Sequence, residues 1–227
     1  MTGRLIVFEG IDGSGKSTQV RRLGERSDFD VKQPGQLFLD YKHERVRGLA
    51  KDLDFDATFQ FGATGVGEAI RSILLDPDNG QLDDRTEALL IIADKAQHVS
   101  EKVRPALEAG RTVVSDRYCA STLAYQGYGR GLDLGLLAEI MRFATGGLEP
   151  ELTVLLDIDV ETAMERLGDQ KDRIEGAGTG FYQRVRDGYL ALAKQSPDSW
   201  AVIDATATVD EVTAQVEDVV DNWLRNP

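Results

Sequence analysis

Residues 10–17 constrain this chain more than any other part of its sequence. They read Gly-Ile-Asp-Gly-Ser-Gly-Lys-Ser and satisfy the pattern G-x-x-x-x-G-K-[ST] at every fixed position. An apolar run at 5–8 precedes the motif, and a helical pattern opens at Ser17 and Thr18. Glycines let the backbone amides of such a loop point inward at phosphate oxygens, and the N-terminus of the following helix adds partial positive charge. The sequence therefore predicts a strand, a phosphate-binding loop and a helix, in that order.

The rest of the sequence alternates short apolar runs with longer helical patterns. Strands are predicted at 5–8, 57–60, 112–115, 152–157 and 201–203. The last helix has the clearest pattern, a capping box at Thr208 and Glu211 followed by the apolar stripe Val212, Val216, Val219 and Trp223. This alternation predicts a single doubly wound α/β domain over residues 1–227, with a parallel sheet flanked by helices. Ligands of such sheets bind beyond the carboxyl ends of the strands.

Two similar stretches, 19–31 and 45–57, both contain the tripeptide Asp-Phe-Asp. A tandem duplication of a helix-plus-strand unit and chance similarity explain this equally well. We place the second strand in the later copy, at 57–60, rather than in the earlier one. Residues 33–53 then form an insertion that contains a helix near 40–53.

Composition excludes several classes of function. The chain has 26 lysine and arginine residues against 39 aspartate and glutamate residues, a formal charge of −13 that disfavours general binding of nucleic acid. No apolar run reaches the ~20 residues that a membrane-spanning helix needs, and no secretory signal is apparent. Cys119 is the only cysteine, so an intramolecular disulfide and a cysteine-rich metal site are excluded. These features predict a cytoplasmic protein.

Four side chains outline a phosphoryl-transfer site. Lys16 is expected to bridge the β- and γ-phosphates of a nucleotide, and Ser17 to supply a hydroxyl to Mg²⁺. Asp116 closes the predicted strand at 112–115, where it would also hold Mg²⁺, and Arg117 follows it. A fixed cation at that position can bind an acceptor phosphate and offset charge in the transition state.

In these residues and well beyond them, the sequence resembles the thymidylate kinase family. The matching segments are 8–18, 67–71, 93–98, 116–131 and 172–175, so the resemblance covers nearly the whole chain. It implies a five-stranded parallel sheet, ATP as the phosphoryl donor, thymidine monophosphate as the acceptor and a requirement for Mg²⁺. It also implies a lid at 166–180 and a homodimer.

Carried over by position, the resemblance also implies roles for single residues. The ATP-binding set is Gly10, Ile11, Asp12, Gly13, Ser14, Gly15, Lys16, Ser17, Thr18, Arg166, Lys171 and Arg173. The acceptor-binding set is Asp12, Arg71, Ile91, Lys95, Arg117, Ser121, Tyr125 and Gln126. Asp12 is expected at the sugar 3′-hydroxyl, Gln126 at the thymine edge, and Glu9 in the network of Mg²⁺ and water.

The expected chemistry needs no strong general base. A phosphate monoester has a second pKa of ~6, so the acceptor already carries an anionic oxygen at pH 7. Catalysis then consists of alignment and charge neutralisation, for which Lys16, Arg117, Asp12 and Glu9 are the candidates. His43, His98 and Cys119 are therefore predicted to be structural.

The sequence departs from the family pattern around the acceptor. The family motif Arg-Glu-Pro-Gly-Gly-Thr is replaced by Phe-Gln-Phe-Gly-Ala-Thr at 59–64, although Phe59 or Phe61 could supply a substitute ring. Ile91 stands where the family has a phenylalanine that stacks on thymine, and Lys95 stands where an arginine is usual. These changes predict a weaker or looser thymidylate site. They leave two alternatives open, a kinase for another small acceptor and a weakly active nucleotide-binding module.

Overall fold

A parallel sheet of five strands forms the centre of the computed structural model, which describes residues 3–24, 55–76, 79, 82–168 and 173–225. The strands are β1 (Leu5–Glu9), β2 (Phe55–Phe59), β3 (Thr112–Asp116), β4 (Leu152–Asp157) and β5 (Trp200–Asp204). Their order is β2-β3-β1-β4-β5, and every neighbouring pair is parallel. The predicted doubly wound parallel sheet is thus confirmed.

Helices connect the strands. They are α1 (Lys16–Gly24), α2 (Gly65–Leu75), α3 (Asp84–His98), α4 (Arg104–Glu108), α5 (Cys119–Thr122), α6 (Leu134–Thr145), α7 (Val160–Leu167), α8 (Thr179–Gln195) and α9 (Val209–Arg225). A π-helical turn at Val99–Val103 joins α3 to α4, and another at Leu123–Gly129 continues α5. No helix among the described residues is long and apolar enough to cross a membrane.

The central strand β1 packs on both of its faces. Successive side chains of a strand point to opposite faces of the sheet. Ile6 and Phe8 join the core beneath α8 and α9, whereas Leu5 and Val7 join the core beneath the helical stretch around α4. A strand buried on both faces reads as a continuous apolar run, which explains why β1 is evident in the sequence.

The strand order creates a crevice at the carboxyl end of β1. The sheet extends from β1 on one side through β3 to β2, and on the other side through β4 to β5. Phe8 pairs with Asp116, so the segments that follow β1 and β3 leave the sheet side by side. Ligand sites of open α/β sheets lie at this kind of switch point.

The second strand forms in the later of the two similar stretches, as predicted, but begins two residues earlier. It spans Phe55–Phe59 rather than 57–60, and it pairs along its whole length with β3. The insertion at 33–53 and its helix near 40–53 lie outside the described residues. Of the earlier copy, 19–24 belong to α1 and 25–31 lie outside the described residues.

The capping box of α9 is present as predicted. The Thr208 backbone amide donates to the Glu211 carboxylate at 3.0 Å, and the Glu211 amide donates to the Thr208 hydroxyl at 3.4 Å. Val212, Val216 and Val220 are buried along the helix. The predicted stripe is correct except that Val220 lies deeper than its neighbour Val219, which is only partly buried.

Candidate active site

A cavity of about 960 Å³ opens at the carboxyl ends of the strands. Its wall includes the loop before α1, the start of α2, one face of α3 and the residues that follow β3. Residues predicted for ATP and for the acceptor share this single space, among them Asp12, Lys16, Ser17, Arg71, Ile91, Lys95, Asp116, Arg117, Ser121, Tyr125, Gln126 and Arg166. The fold therefore brings the residues predicted for the donor and those predicted for the acceptor into one cavity.

The phosphate-binding loop packs tightly against its surroundings. Gly13 has a φ of +82°, and a Cβ atom there would lie 2.5 Å from the carbonyl oxygen of Ala163 on α7. A side chain at this position would thus meet both backbone strain and a steric clash. Gly13 occupies a variable position of the motif, and glycine is required there because the loop packs against the backbone of α7.

Lys16 is the first residue of α1, and its ammonium group reaches back across the loop. Its Nζ donates to the carbonyl oxygens of Gly10 at 3.0 Å and Ile11 at 2.9 Å. Burial, followed by the positive charge of Arg117, lowers the pKa of Lys16 to about 8, which nearby carboxylates only partly offset. The side chain is therefore placed where a negatively charged phosphate would stabilise its charged form.

Ser17 and Asp116 form a contact between α1 and the end of β3. The Ser17 hydroxyl donates to the Asp116 carboxylate at 2.6 Å. A hydroxyl and a carboxylate at the rim of a phosphate-binding loop are hard oxygen ligands of the type that Mg²⁺ prefers alongside phosphates and water. The two side chains fit the predicted metal role.

Arg117, the residue predicted to bind the acceptor phosphate, lines the cavity beside the phosphate-binding loop. Its φ is 71°, a left-handed conformation that is uncommon for a residue other than glycine, and the Ser115 hydroxyl donates to its carbonyl oxygen at 2.8 Å. The guanidinium forms an ion pair with Asp12 and also donates to Gly10 and Ser121. The strained backbone thus aims the side chain back over β1, towards the phosphate-binding loop.

Asp12 is held as an anion by its neighbours. The hydroxyls of Tyr125 and Tyr182 donate to its Oδ2 at 2.7 and 2.9 Å. Burial raises its pKa, but the charges of Arg117 and Lys16 and these two hydrogen bonds together lower the pKa to about 2. Asp12 can therefore accept a hydrogen bond from a ligand hydroxyl at any ordinary pH.

Glu9 lies beneath the cavity and is not among the residues that line it. It is fully buried, and its carboxylate accepts from the Ser121 hydroxyl at 2.6 Å and the Tyr189 hydroxyl at 3.0 Å. Burial raises the pKa of Glu9, with Ser121 and Arg117 acting in the opposite direction. In this structure Glu9 orders the acceptor wall, and its contact with Mg²⁺ and water stays a prediction.

A chain of buried polar groups supports Lys95. Its Nζ, which can only donate, bonds to the Oε1 atom of Gln60, so the Nε2 atom of Gln60 faces His98 Nδ1 at 2.9 Å. Burial lowers the pKa of His98 to about 3, and its neutral ring then donates from Nε2 to the hydroxyl of Thr58. His98 is structural, as predicted. Gln60 was not identified from the sequence, although it also lines the cavity.

The departures from the family pattern lie at one end of the cavity. Ile91, Lys95 and Phe61 line it together, and the guanidinium of Arg71 lies over the Phe61 ring at 5.2 Å. Phe61 is therefore available as the substitute ring, while the side chain of Phe59 lies outside the described part of the chain. The cysteine Cys119 packs against two parts of the core, as predicted.

The predicted lid cations do not act alike. Arg166 lines the cavity and donates to the carbonyl of Ala205 at 3.1 Å. Arg173 is not among the lining residues; it donates to the Glu87 carboxylate at 2.6 Å, which places it beside the acceptor end. Lys171 lies outside the described residues. Sequence reasoning missed Glu87, Tyr182 and Tyr189, because the pattern of a helix gives no sign of which polar group a side chain will meet.

Comparisons with known proteins identify the family of this chain. The family profile described as "Thymidylate kinase" matches residues 49–216. The thymidylate kinase of Desulfovibrio desulfuricans is 40% identical over 229 residues, covering 97% of this chain and 96% of that protein. The thymidylate kinase of Desulforudis audaxviator is 44% identical over 206 residues, covering 90% and 84%. The crystal structure of thymidylate kinase from Ehrlichia chaffeensis superposes with a TM-score of 0.72 at 27% identity, covering 97% of this chain and 100% of that one. The resemblance predicted from the motifs is confirmed, and the chain belongs to the thymidylate kinase family of nucleoside monophosphate kinases.

Proposed function

We propose that this protein transfers the γ-phosphoryl group of ATP to thymidine monophosphate and releases ADP and thymidine diphosphate. The observation that carries the proposal is the shared cavity, in which Lys16 and Ser17 lie next to Arg117: the Lys16 ammonium and the Arg117 guanidinium both donate to the Gly10 carbonyl oxygen. A direct transfer between two bound nucleotides needs both in one space, shielded from water.

On the donor side, the loop amides and the N-terminus of α1 bind the β- and γ-phosphates. Lys16 exchanges its bonds to the Gly10 and Ile11 carbonyls for phosphate oxygens, whose negative charge offsets the burial that lowers its pKa. Ser17 and Asp116 hold Mg²⁺, which supplies charge neutralisation on the phosphates when bound. Arg166, at the rim, covers the nucleotide.

On the acceptor side, Arg117 and Arg71 bind the phosphate of the monophosphate. The nucleophile is one of its anionic oxygens, so no side chain has to remove a proton. Asp12 accepts from the sugar 3′-hydroxyl, and Ser121 and Tyr125 complete the wall around the sugar. Ile91 replaces an aromatic partner of the base, and stacking on an aromatic ring is worth ~1–3 kcal/mol per base, so the affinity for the base is expected to be modest.

The substrate is tested by measuring ADP release with ATP, Mg²⁺ and a panel of acceptors. We expect thymidine monophosphate to have the highest kcat/KM, ahead of the other deoxynucleoside monophosphates and thymidine, and we expect chelation of Mg²⁺ to abolish turnover. Turnover with another acceptor but none with thymidine monophosphate would contradict the proposal. Binding of ATP without turnover on any acceptor would favour a weakly active nucleotide-binding module instead.

A homodimer is proposed from the surface of α2, α3 and α6. Exposed apolar side chains recur seven residues apart on α2 (Val66 and Ile73) and on α6 (Leu136 and Phe143), and Phe143 is 88% exposed. Both helices pack on α3, which exposes Leu89. An apolar face of this kind favours association with a second copy, in which each side chain would be covered.

The dimer is tested by light scattering. We expect a mass of about twice the 24.9 kDa of the chain, and a monomer for Phe143→Glu because a buried, unpaired carboxylate is costly. Val202→Glu, on the edge strand β5 and about half exposed, is the matched control and should remain a dimer. A monomeric wild type, or a dimeric Phe143→Glu, would argue against this interface.

The acidic composition and single cysteine support a cytoplasmic location.

A further inference from the structure

Glu87 is a buried carboxylate just behind the base end of the cavity. It lies near the start of α3, is only 1% exposed, and is not among the lining residues. Its carboxylate accepts from Gln126 at 3.0 Å, from two nitrogens of Arg130 at 3.2 Å each, and from Arg173 at 2.6 Å. Two of these partners are arginines, so the buried charge is paired.

The state of Glu87 decides the orientation of Gln126. Burial raises the pKa of Glu87, but hydrogen bonds from Arg130 and Gln126 outweigh it and lower the pKa overall. An ionised carboxylate can only accept, whereas the amide of Gln126 could present either its oxygen or its nitrogen. Gln126 must therefore turn its Nε2 atom towards Glu87. Its carbonyl oxygen, Oε1, is left as the amide atom available to the cavity that Gln126 lines.

A hydrogen-bond acceptor at the position of the Gln126 Oε1 atom distinguishes thymine and uracil from cytosine. Thymine and uracil carry a hydrogen on ring nitrogen N3, while N3 of cytosine is itself an acceptor. Two acceptors facing each other leave both unsatisfied, and buried polar groups without partners are costly. Building on the proposed function, we propose that Glu87 is a positioning residue for base selection, which acts through Gln126 to favour keto pyrimidines over cytosine.

The same carboxylate joins the lid to the base pocket. Arg173 lies between α7 and α8, and besides Glu87 it donates to the carbonyl of Leu74 at 2.8 Å. Arg130, the other cation on Glu87, lies over the ring of Phe181 on α8 at 4.6 Å. Arg173, in the segment predicted as a lid, thus supplies part of the positive charge that keeps Glu87 ionised. The orientation of Gln126 and the position of Arg173 therefore both depend on the carboxylate of Glu87.

The test compares Glu87→Gln with wild type on thymidine and deoxycytidine monophosphates. A neutral amide at 87 can donate as well as accept, so it no longer dictates the orientation of Gln126. We expect the ratio of kcat/KM for the two substrates, and the ratio of their dissociation constants, to fall about tenfold, as one buried hydrogen bond predicts. Asp84→Asn is the matched control, because Asp84 lies 3.6 Å from Arg130 in the same cluster. It should keep the wild-type ratio.

Glu87→Asp provides the second variant in case the amide does not fold. It keeps the charge that the arginines need but is too short to reach all its partners, so its ratio should fall between those of wild type and Glu87→Gln. An unchanged ratio, or equal losses for both substrates, would overturn the inference. A wild type that binds thymidine monophosphate selectively without turnover would contradict the proposed function alone, since the binding ratio still reports on Glu87.

Discussion

Replacing Lys16 with methionine is expected to lower kcat by at least about 10³-fold. The ammonium group is the one cation that the phosphate-binding loop itself places next to the transferred group, so its loss leaves developing negative charge unneutralised. The methionine side chain is similar in length to that of lysine but carries no charge, so this substitution removes mainly the charge. Burial of the ammonium lowers its pKa to about 8, which means that folding disfavours the charged form at neutral pH. We therefore expect the variant to unfold at the same or a higher temperature than wild type.

The measurement is ADP release at saturating ATP and thymidine monophosphate, together with a thermal melt. Lys194→Met, at the exposed end of α8, is the matched control and should keep wild-type turnover. A Lys16→Met variant that retains a tenth of the activity would refute the assigned phosphate site. A large fall in melting temperature would instead show that the bonds to Gly10 and Ile11 matter more for folding than the cost of burying the charge.

The substitution Arg117→Met is expected to have the second-largest effect. It should lower kcat/KM for thymidine monophosphate by about 10²- to 10³-fold. The guanidinium binds Asp12, Gly10 and Ser121 at once, and the fork that does so can also hold two oxygens of a phosphate. Arg117→Lys keeps the charge without the fork, so it should recover only part of the loss. The KM for ATP should change much less than the KM for the acceptor, because Arg117 lies on the acceptor side.

Arg85→Met is the control for the variants Arg117→Met and Arg117→Lys. Arg85 is 79% exposed and bonds only locally to Asp83 among the contacts described, so its loss should leave both KM values unchanged. Equal effects of Arg117→Met on the KM values for ATP and for the acceptor would contradict the assignment. In the same variant, Asp12 loses the positive charge that most strongly lowers its pKa, so that pKa should rise from about 2. The stability that the low pKa provides at neutral pH should then decrease, and the loss of stability on acidification should become smaller.

Much of the architecture could be predicted because its signals are local. The five strands were placed within two residues of their observed ends or better. For β1 and β4 the signal is strongest, since a run of apolar side chains marks a strand covered on both faces. The capping box of α9 and the phosphate-binding loop depend on residues a few positions apart. For such features, the residues that interact are visible together in the sequence.

The roles of single residues in the cavity were harder to predict from the sequence. Arg173 was assigned to ATP from its place in the lid, yet in this structure it bonds to Glu87, 86 positions away. Tyr189 is buried on α8, and its hydroxyl bonds to Ser121 and Glu9. Periodicity reports which face of a helix is buried, and it carries no information on which distant polar group that face will meet.

By itself the sequence determined the doubly wound sheet, the phosphate-binding loop and the residues at the ends of β1 and β3. These follow from backbone propensity, apolar patterning and a motif whose spacing has one steric solution. The tertiary structure alone decided that Gln126 faces the base end with its oxygen, because that orientation depends on Glu87 remaining ionised between Arg130 and Arg173. Charge pairing across segments so far apart is a property of the folded chain, and no local pattern encodes it.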